Sequence, residues 1–186
     1  MEGVVALPDP LPLGLHLRGV VPFGQDSGWR RHAGEYRTAP RDDPLTTTRP
    51  PIAIREADVP DHFLGIIALY RAHGWTHAGD PERLQTAIES SSYSVVALEE
   101  ERVVGFARAM SDEAFAVYIA DVLVAPDRQR IGIGRTLAEA ILERYPMDRF
   151  HHQVLVAERG AEGFYRKLGM VPVTAYGLTA FIRARR

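Results

Sequence analysis

From residue 51 onward, the spacing of the apolar residues switches between a helical period and a strand period. Apolar residues at helical spacing predict a helix over residues 61–72, which Gly74 ends, and a second helix over residues 81–90. Short runs rich in β-branched residues predict strands. The predicted strands span residues 52–55, 95–98, 103–110, 116–124, 153–157, 171–174 and 178–183.

The best defined stretch joins the strand over residues 116–124 to a turn with two glycines and then to a long helix. Pro126 ends the strand because proline cannot donate a hydrogen bond to a sheet ladder. Ile133, Leu137 and Ile141 fall on one side of the following helix, so this side is expected to pack against the sheet.

The order of predicted elements is β-α-α-β-β-β-α-β-α-β-β, in which the strand over residues 153–157 is expected to be buried and a short helix covers residues 160–168. This order indicates an α/β (α+β) fold with a mixed central sheet of about six to seven strands and flanking helices. Residues 1–50 hold seven of the 13 prolines and show no sustained period. We therefore expect a loosely ordered extension over residues 1–50 and one domain over residues 51–186.

The turn before the long helix has the features of an anion-binding site. Gly132 and Gly134 allow a close approach of the backbone, and the first N–H groups of a helix have no acceptor within the helix. The helix dipole adds partial positive charge there, and Arg128, Arg130 and Arg135 add full charges nearby. A phosphate group is the expected ligand of this turn.

Three known phosphate loops can be compared with this turn. The nucleoside triphosphate loop requires a Lys-Ser/Thr pair that is absent, and the dinucleotide loop requires a small residue where Leu137 stands. The matching pattern is Gln/Arg-x-x-Gly-x-Gly/Ala. It is filled by Gln129, Arg130, Ile131, Gly132, Ile133 and Gly134.

This pattern resembles the coenzyme A pyrophosphate loop of the GNAT superfamily of N-acetyltransferases. A second segment, from Ala161 through Phe164 and Tyr165 to Gly169 and Met170, is similar to the family's Phe-Tyr-x-x-x-Gly-Phe motif. The order of the predicted elements also matches the family's fold. The resemblance covers roughly residues 51–186.

The resemblance implies an acetyl-coenzyme A (acetyl-CoA) site. Residues 129–135 would hold its pyrophosphate, with Arg135 at the end of the loop. Main-chain groups of Val122, Leu123 and Val124 would pair with the pantetheine arm, and the Val124 N–H would face the thioester oxygen.

The resemblance also implies that Tyr165 donates a proton to the leaving thiolate. One position departs from the family pattern. Glu158 stands where many members carry an asparagine that touches coenzyme A, so that contact is not expected here.

The general base is not defined by the resemblance, because family members place a Glu or His where this chain has Tyr118 and Ala120. Asp121 is the nearest carboxylate and is a candidate catalytic residue. Side chains alternate along a strand, so Asp121 faces away from Tyr118 unless a bulge intervenes. A buried acid with a structural role, or a water chain that carries the proton, are the alternatives.

The acceptor pocket is implied to lie at the first two helices and their joining loop. Trp75, Tyr93, Arg108 and Tyr118 are the candidate substrate-binding residues. Two of them have structural alternatives: Trp75 could cap the core, and Arg108 could face solvent instead of meeting an acceptor carboxylate. His73 and His77 are four residues apart but straddle Gly74, so no metal site is predicted.

Composition narrows the function further. The 22 basic residues are balanced by 24 acidic ones, which gives no overall field for nucleic acid or an anionic membrane. The chain has no cysteine, so a cysteine acyl-enzyme is excluded. No apolar run approaches the ~20 residues of a membrane-spanning helix. A cytoplasmic protein is expected, and its assembly is left open between a monomer and a homodimer.

These observations together predict an N-acetyltransferase that moves an acetyl group from acetyl-CoA to a primary amine of a small molecule by direct attack in a ternary complex. Two alternatives stay open. One is a non-catalytic module that binds acyl-coenzyme A, which the missing fourth-strand base motivates. The other is an acetyltransferase that acts on a peptide or protein amine.

Overall fold

The computed structural model describes residues 51–183. The predicted extension over residues 1–50 lies outside the described residues, as do residues 184–186. The helices and strands, in chain order, are β1 (Ile52–Glu56), α1 (Val59–Ala72), α2 (Pro81–Glu89), β2 (Tyr93–Glu99), β3 (Arg102–Ser111), β4 (Ala116–Val124), α3 (Ile133–Arg144), β5 (His152–Leu155) and α4 (Glu162–Lys167). Short 3₁₀ turns cover Thr76–Gly79, Pro126–Arg128 and Val173–Tyr176.

The five strands form one mixed sheet in the order β1-β2-β3-β4-β5. The first three pairings are antiparallel, and β4 pairs with β5 in parallel. A parallel connection needs a crossover of a dozen or more residues, and α3 provides it. The predicted mixed α/β fold is confirmed, with fewer strands than the six to seven expected.

Strand β4 carries a bulge at Ala120. On β3, Arg108 pairs with Asp121 and Ala109 pairs with Ile119, so Ala120 has no partner. The parallel register with β5 ends at the same place, where Ile119 lies opposite Leu155. A bulge bends its strand and increases the local twist. Residues 120–124 therefore leave β5 while they stay paired with β3.

Helices cover the two faces of the sheet. A Cβ added at Gly65 of α1 would lie 2.6 Å from Val103, and one at Gly105 would lie 2.8 Å from Leu137 of α3. Val103 and Gly105 face opposite sides because a second register shift falls between them on β3. The side with α1 and α2 is called the α1 face below, and the other side is called the α3 face.

The local signals agree with the observed helices. Asp80 caps α2, as its side chain accepts a hydrogen bond from the Arg83 N–H at 3.2 Å, and Pro81 occupies the first turn. In α3 the predicted apolar side is buried, with Ile133, Leu137 and Ile141 in the core.

Two predicted strands at the end of the chain are wrong. Residues 171–174 enter the turn Val173–Tyr176, and residues 178–183 form no strand. Pro172 supplies no N–H, and Gly177 adopts φ 69°, which turns the chain so that the Leu178 N–H donates to Val173 O at 3.2 Å. The strand pairing that the apolar pattern indicated is thus replaced by a local turn.

The strand over residues 153–157 forms as β5, but the prediction that it is buried is wrong. Val154 is 38% exposed. Within the described part of the chain, β5 is the edge of the sheet, so it has no strand on its outer side. Across residues 51–183, no helix is long and apolar enough to span a membrane.

The packing of α3 on β3 predicts the effect of a methyl group at Gly105. We expect Gly105→Ala to lower the unfolding free energy by about 1–3 kcal/mol, because the new Cβ would meet Leu137 and Ile133 at 2.8 and 2.9 Å. Gly79→Ala is the control, since a Cβ there meets nothing within 4 Å. Urea denaturation measures both, and a Gly105→Ala variant as stable as the parent would contradict this packing.

Candidate active site

The open end of β4 presents unpaired backbone groups. Ala125 N–H donates to Val104 O at 2.9 Å, so Val104 and Ala125 form a hydrogen-bonded pair of the ladder. The next pair, Gly105 and Val124, is therefore a non-hydrogen-bonded pair, in which the N–H and C=O groups of the two residues point away from each other. Antiparallel ladders alternate in this way. The N–H groups of Val122 and Val124 therefore point away from β3, toward the gap that β5 leaves beyond Ile119.

Two side chains hold the carbonyl at the end of β4. His73 Nε2 lies 2.9 Å from Val124 O, and Gln129 Nε2 donates to the same oxygen at 3.3 Å. Because a carbonyl only accepts, His73 carries its proton on Nε2 in this contact. His73 follows the last residue of α1, so the contact joins α1, β4 and the glycine turn at one point.

The glycine turn lies directly beyond this strand end. Gly132 caps α3 with φ 98°, a conformation that favours glycine, and a Cβ there would meet nothing within 4 Å. Thr136 is the first residue of α3 whose N–H bonds within the helix, to Gly132 O at 3.0 Å. The N–H groups before it have no acceptor in the helix, and the space beside Gly132 is open.

Gly134 brings the helix start against the strand. A Cβ there would lie 3.3 Å from Val124 Cγ2 and 3.8 Å from the Phe164 ring. The turn, the end of β4 and the start of α4 therefore meet around one small volume.

The three arginines of the turn differ in their partners. Arg128 is bound to Glu99, at 2.8 Å, and to Asp127, so it anchors the turn to the end of β2. Arg135 pairs with Glu139 on the helix surface at 2.7 Å. Arg130 is exposed and, within residues 51–183, forms no ion pair. Arg130 is thus the arginine best able to contact an anion in the turn.

Tyr165 lies on α4 beside this volume. Its ring packs edge-on against Phe164, with centroids 4.9 Å apart. Burial raises the pKa of the Tyr165 phenol, and the negative charge of Glu158 and then of Asp121 raises this pKa further. The phenol therefore keeps its proton beyond its ordinary range.

Asp121 lies on the same face as Tyr118. On β3, Arg108 and Met110 share a face, and they pair with Asp121 and Tyr118 respectively. The bulge at Ala120 supplies the extra residue that makes this alignment. Because of this bulge, the side chains of β4 do not simply alternate here, and Asp121 faces α1 together with Tyr118.

Asp121 is the centre of a buried polar network. Its Oδ2 accepts hydrogen bonds from Tyr70 OH, at 2.8 Å, and from Arg108 Nε. Arg108 is also held by Ala87 O at 3.2 Å and Ser91 Oγ at 3.3 Å. Burial and the Asp121 charge raise the pKa of Tyr70 well above its usual range, so Tyr70 acts as a donor here.

Three of the four candidate substrate-binding residues share the α1 face. Trp75 packs on Tyr70 with ring centroids 5.6 Å apart, and Arg108 and Tyr118 line the same side of the sheet. Tyr93 lies on the α3 face instead, because it packs against Tyr145 with centroids 6.4 Å apart. Tyr93 is therefore separated from the other three by the sheet.

Sequence reasoning missed the roles of His73 and Tyr70. Their partners, Val124 and Asp121, lie 51 residues away in the chain. No local pattern signals such contacts, and buried polar groups of this kind are recognised only from their partners. Among residues 51–183, no three His, Cys, Asp or Glu side chains come together in a group that could hold a metal ion.

Comparison with known proteins agrees with this geometry. A sequence model described as the acetyltransferase (GNAT) family matches residues 53–170, which is more than half of the chain. The chain belongs to the GNAT family. The superfamily predicted from its two motifs is thereby confirmed.

Among curated relatives of this GNAT protein, an uncharacterized N-acetyltransferase of Porphyra purpurea, ycf52, is 32% identical over 94 residues, or 48% of this chain and 54% of that protein. The chloroplastic serotonin N-acetyltransferase 2 of Oryza sativa subsp. japonica is 38% identical over 113 residues, or 56% and 55%. The chain spans about half the length of these relatives. A solved GNAT family acetyltransferase from Streptococcus pneumoniae TIGR4 is 30% identical, with a TM-score of 0.62 over 73% of this chain and 99% of that chain.

The buried pair in this GNAT protein predicts a strong energetic coupling. Arg108→Met would leave the Asp121 carboxylate, only 8% exposed, without its cation. We expect this variant to lose about 3 kcal/mol of unfolding free energy. The double variant with Asp121→Asn should lose less than the sum of the singles, with a coupling of about 1–3 kcal/mol.

Chemical denaturation of the two single variants and the double variant measures this coupling. The exposed pair of Arg135 and Glu139 on α3 is the control, for which about 0.3–0.5 kcal/mol is expected. A coupling energy between Arg108 and Asp121 as small as that of the control pair would contradict the prediction.

Proposed function

We propose that this GNAT acetyltransferase moves the acetyl group of acetyl-CoA to a primary amine of a small molecule, by direct attack while both substrates are bound. The observation that supports this most is the continuity of the site. The free N–H groups of Val122 and Val124 lead straight to the free N–H groups before Thr136, and Tyr165 stands beside them. A backbone-lined channel that ends in an anion-binding turn fits an extended ligand with a pyrophosphate.

The residues present fit acetyl-CoA along this channel. Open space at Gly132 and the helix donors around it suit the pyrophosphate, with Arg130 free to add a charge contact. Main-chain groups of Val122 and Val124 suit the amide-bearing pantetheine arm, which can pair with a strand as a further strand would. The expectation that Leu123 also pairs with this arm is wrong, because its main-chain groups face β3. Family members in general use acetyl-CoA, and that use is carried over to this chain here.

When bound, acetyl-CoA supplies an acetyl group activated as a thioester. Transfer then requires a donor for the carbonyl oxygen, an acceptor for the ammonium proton and a donor for the leaving sulfur. The Val124 N–H is assigned to the carbonyl oxygen. The Tyr165 phenol is assigned to the sulfur, because its raised pKa keeps it protonated.

Asp121 is assigned as the acceptor of the ammonium proton, which it takes with its carboxylate oxygen Oδ1. The carboxylate accepts hydrogen bonds from Tyr70 and Arg108, both at Oδ2, so Oδ1 has no protein donor within residues 51–183. In the complete step the amine nitrogen bonds to the acetyl carbon and the carbon–sulfur bond breaks. The ammonium loses one proton to Oδ1 or a water next to it, the sulfur takes a proton from Tyr165, and the second proton that the nitrogen loses on forming the amide returns to the Tyr165 phenolate through water.

Direct transfer agrees with the composition of the chain. It has no cysteine, so the usual thiol carrier of an acyl group is lacking. A small acceptor agrees with the cavity of about 390 Å³ beside Arg108, which is in the size range of sites for small ligands. The rice relative is named for serotonin, also a small amine, although a soybean relative is named a histone acetyltransferase.

The cytoplasm is the proposed compartment, and this rests on the sequence alone. Three of the relatives are named chloroplastic. Fractionation of cells that express the tagged chain would decide between the two compartments.

Replacement of Tyr165 tests the proposed chemistry. We expect Tyr165→Phe to lower turnover by roughly 10²- to 10⁴-fold, because the general acid is lost while the ring packing remains. Affinity for acetyl-CoA should stay the same. Since the raised pKa keeps the phenol protonated, turnover of the parent enzyme should show no loss of this acid below about pH 10.

The rate of coenzyme A release, followed with a thiol reagent across a panel of amines, measures turnover. Tyr176→Phe is the control, because Tyr176 is exposed in the turn Val173–Tyr176. Full turnover in Tyr165→Phe together with a lower melting temperature would make Tyr165 a packing residue. Binding of acetyl-CoA without release on any amine would instead support the non-catalytic module.

A further inference from the structure

The cavity of about 390 Å³ lies on the α1 face, between the turn Thr76–Gly79, α2 and Arg108 of β3. Its walls carry charge as well as apolar surface. His77, Asp80, Arg83 and Arg108 line it together with Leu84 and Ala87. A cavity of this size with charged groups in its lining suits a small polar ligand.

The two arginines of the cavity differ in their freedom. Arg108 is fixed by Asp121 behind it and by Ala87 O and Ser91 Oγ beside it, so its position is set before a ligand binds. Arg83 is exposed, and within the described part of the chain its guanidinium forms no ion pair. The cavity therefore holds one rigid guanidinium and one that is free to pair.

The acidic groups near the cavity are already engaged. Asp80 Oδ1 accepts the Arg83 N–H at 3.2 Å and caps α2, and Asp121 accepts from Arg108 and Tyr70. The Arg83 charge is thus left for a ligand. Guanidinium groups bind carboxylate and phosphate oxygens with paired hydrogen bonds.

The cavity is linked to the transfer site through β4. Arg108 pairs with Asp121, and Val124 follows three residues later on that strand. Three residues of strand span about 10 Å. A ligand whose acidic group lies in the cavity can therefore extend along β4 toward the open end of that strand.

We propose that the acceptor of this enzyme carries an acidic group, a carboxylate or a phosphate, which Arg83 and Arg108 bind in this cavity while the acceptor's amine reaches the open end of β4. The proposal rests on the proposed acetyltransferase function and adds the chemical class of the acceptor to it. Arg83 is then a specificity residue, and Arg108 positions the same group.

The test compares acceptors that differ only in the acidic group. Coenzyme A release is measured with 5-aminopentanoate, 3-aminopropyl phosphate and the neutral pentylamine. We expect kcat/KM to be at least about tenfold higher for an acidic acceptor than for pentylamine, the gain typical of one charge-assisted hydrogen bond. The carboxylate and the phosphate compounds show which acidic group is preferred.

Two variants should change this preference in opposite directions. Arg83→Gln should lower kcat/KM for the acidic acceptors about tenfold, so that most of their advantage over pentylamine is lost. Asp80→Asn keeps the helix cap but removes a negative charge, so it should raise kcat/KM for the acidic acceptors. Arg55→Gln, an exposed arginine on β1, is the control and should change neither.

Equal rates for acidic and neutral amines, unaffected by Arg83→Gln, would overturn the proposal and leave the acetyltransferase function intact. If no amine is acetylated, the proposed function fails, and calorimetric titration with 5-aminopentanoate tests the cavity alone. Binding that Arg83→Gln abolishes would support the acidic-group site without the reaction. No binding, or binding that Arg83→Gln leaves unchanged, would remove it.

Discussion

The bulge at Ala120 is the constraint on which the site depends. Strand β4 must stay hydrogen-bonded to β3 along its whole length while it parts from β5 after Ile119. One extra residue achieves both, because a bulge bends the strand without ending its ladder. It also sets the face on which Asp121 lies. A strand without the bulge would turn Asp121 away from Tyr70 and Arg108.

The network around Asp121 joins two regions with different tasks. On one side, Asp121 lies near Tyr165 and the open strand end, and its charge contributes to the raised pKa of that phenol. On the other side, Arg108 forms a wall of the cavity beside α2. The buried ion pair therefore gives one rigid support to both the proposed transfer site and the proposed acceptor site. The contact of His73 with Val124 O adds a second tie between α1 and β4.

Elements whose signals are local could be predicted from the sequence. The bounds of β4 match the prediction, and the glycine turn leads into α3 as expected, because residue types there have strong backbone preferences. Contacts between distant residues, such as Tyr70 with Asp121, leave no such signal. The prediction of the two C-terminal strands is wrong because a short run of β-branched residues does not decide between a strand and a turn, and Pro172 and Gly177 turn the chain locally. Tyr93 is a candidate through the family resemblance, which does not reveal the face of the sheet on which its side chain lies.

In the proposed function, one continuous set of backbone donors, from β4 into α3, binds acetyl-CoA. Amide chemical shifts recorded by NMR during titration with coenzyme A test it most directly, because they report on each N–H separately. We expect the largest changes in amide chemical shift at Val122, Val124 and residues 131–135. The shift of Leu123 should change less, because its N–H faces β3. Saturable binding with its largest shifts elsewhere, and none at Val122 and Val124, would contradict it.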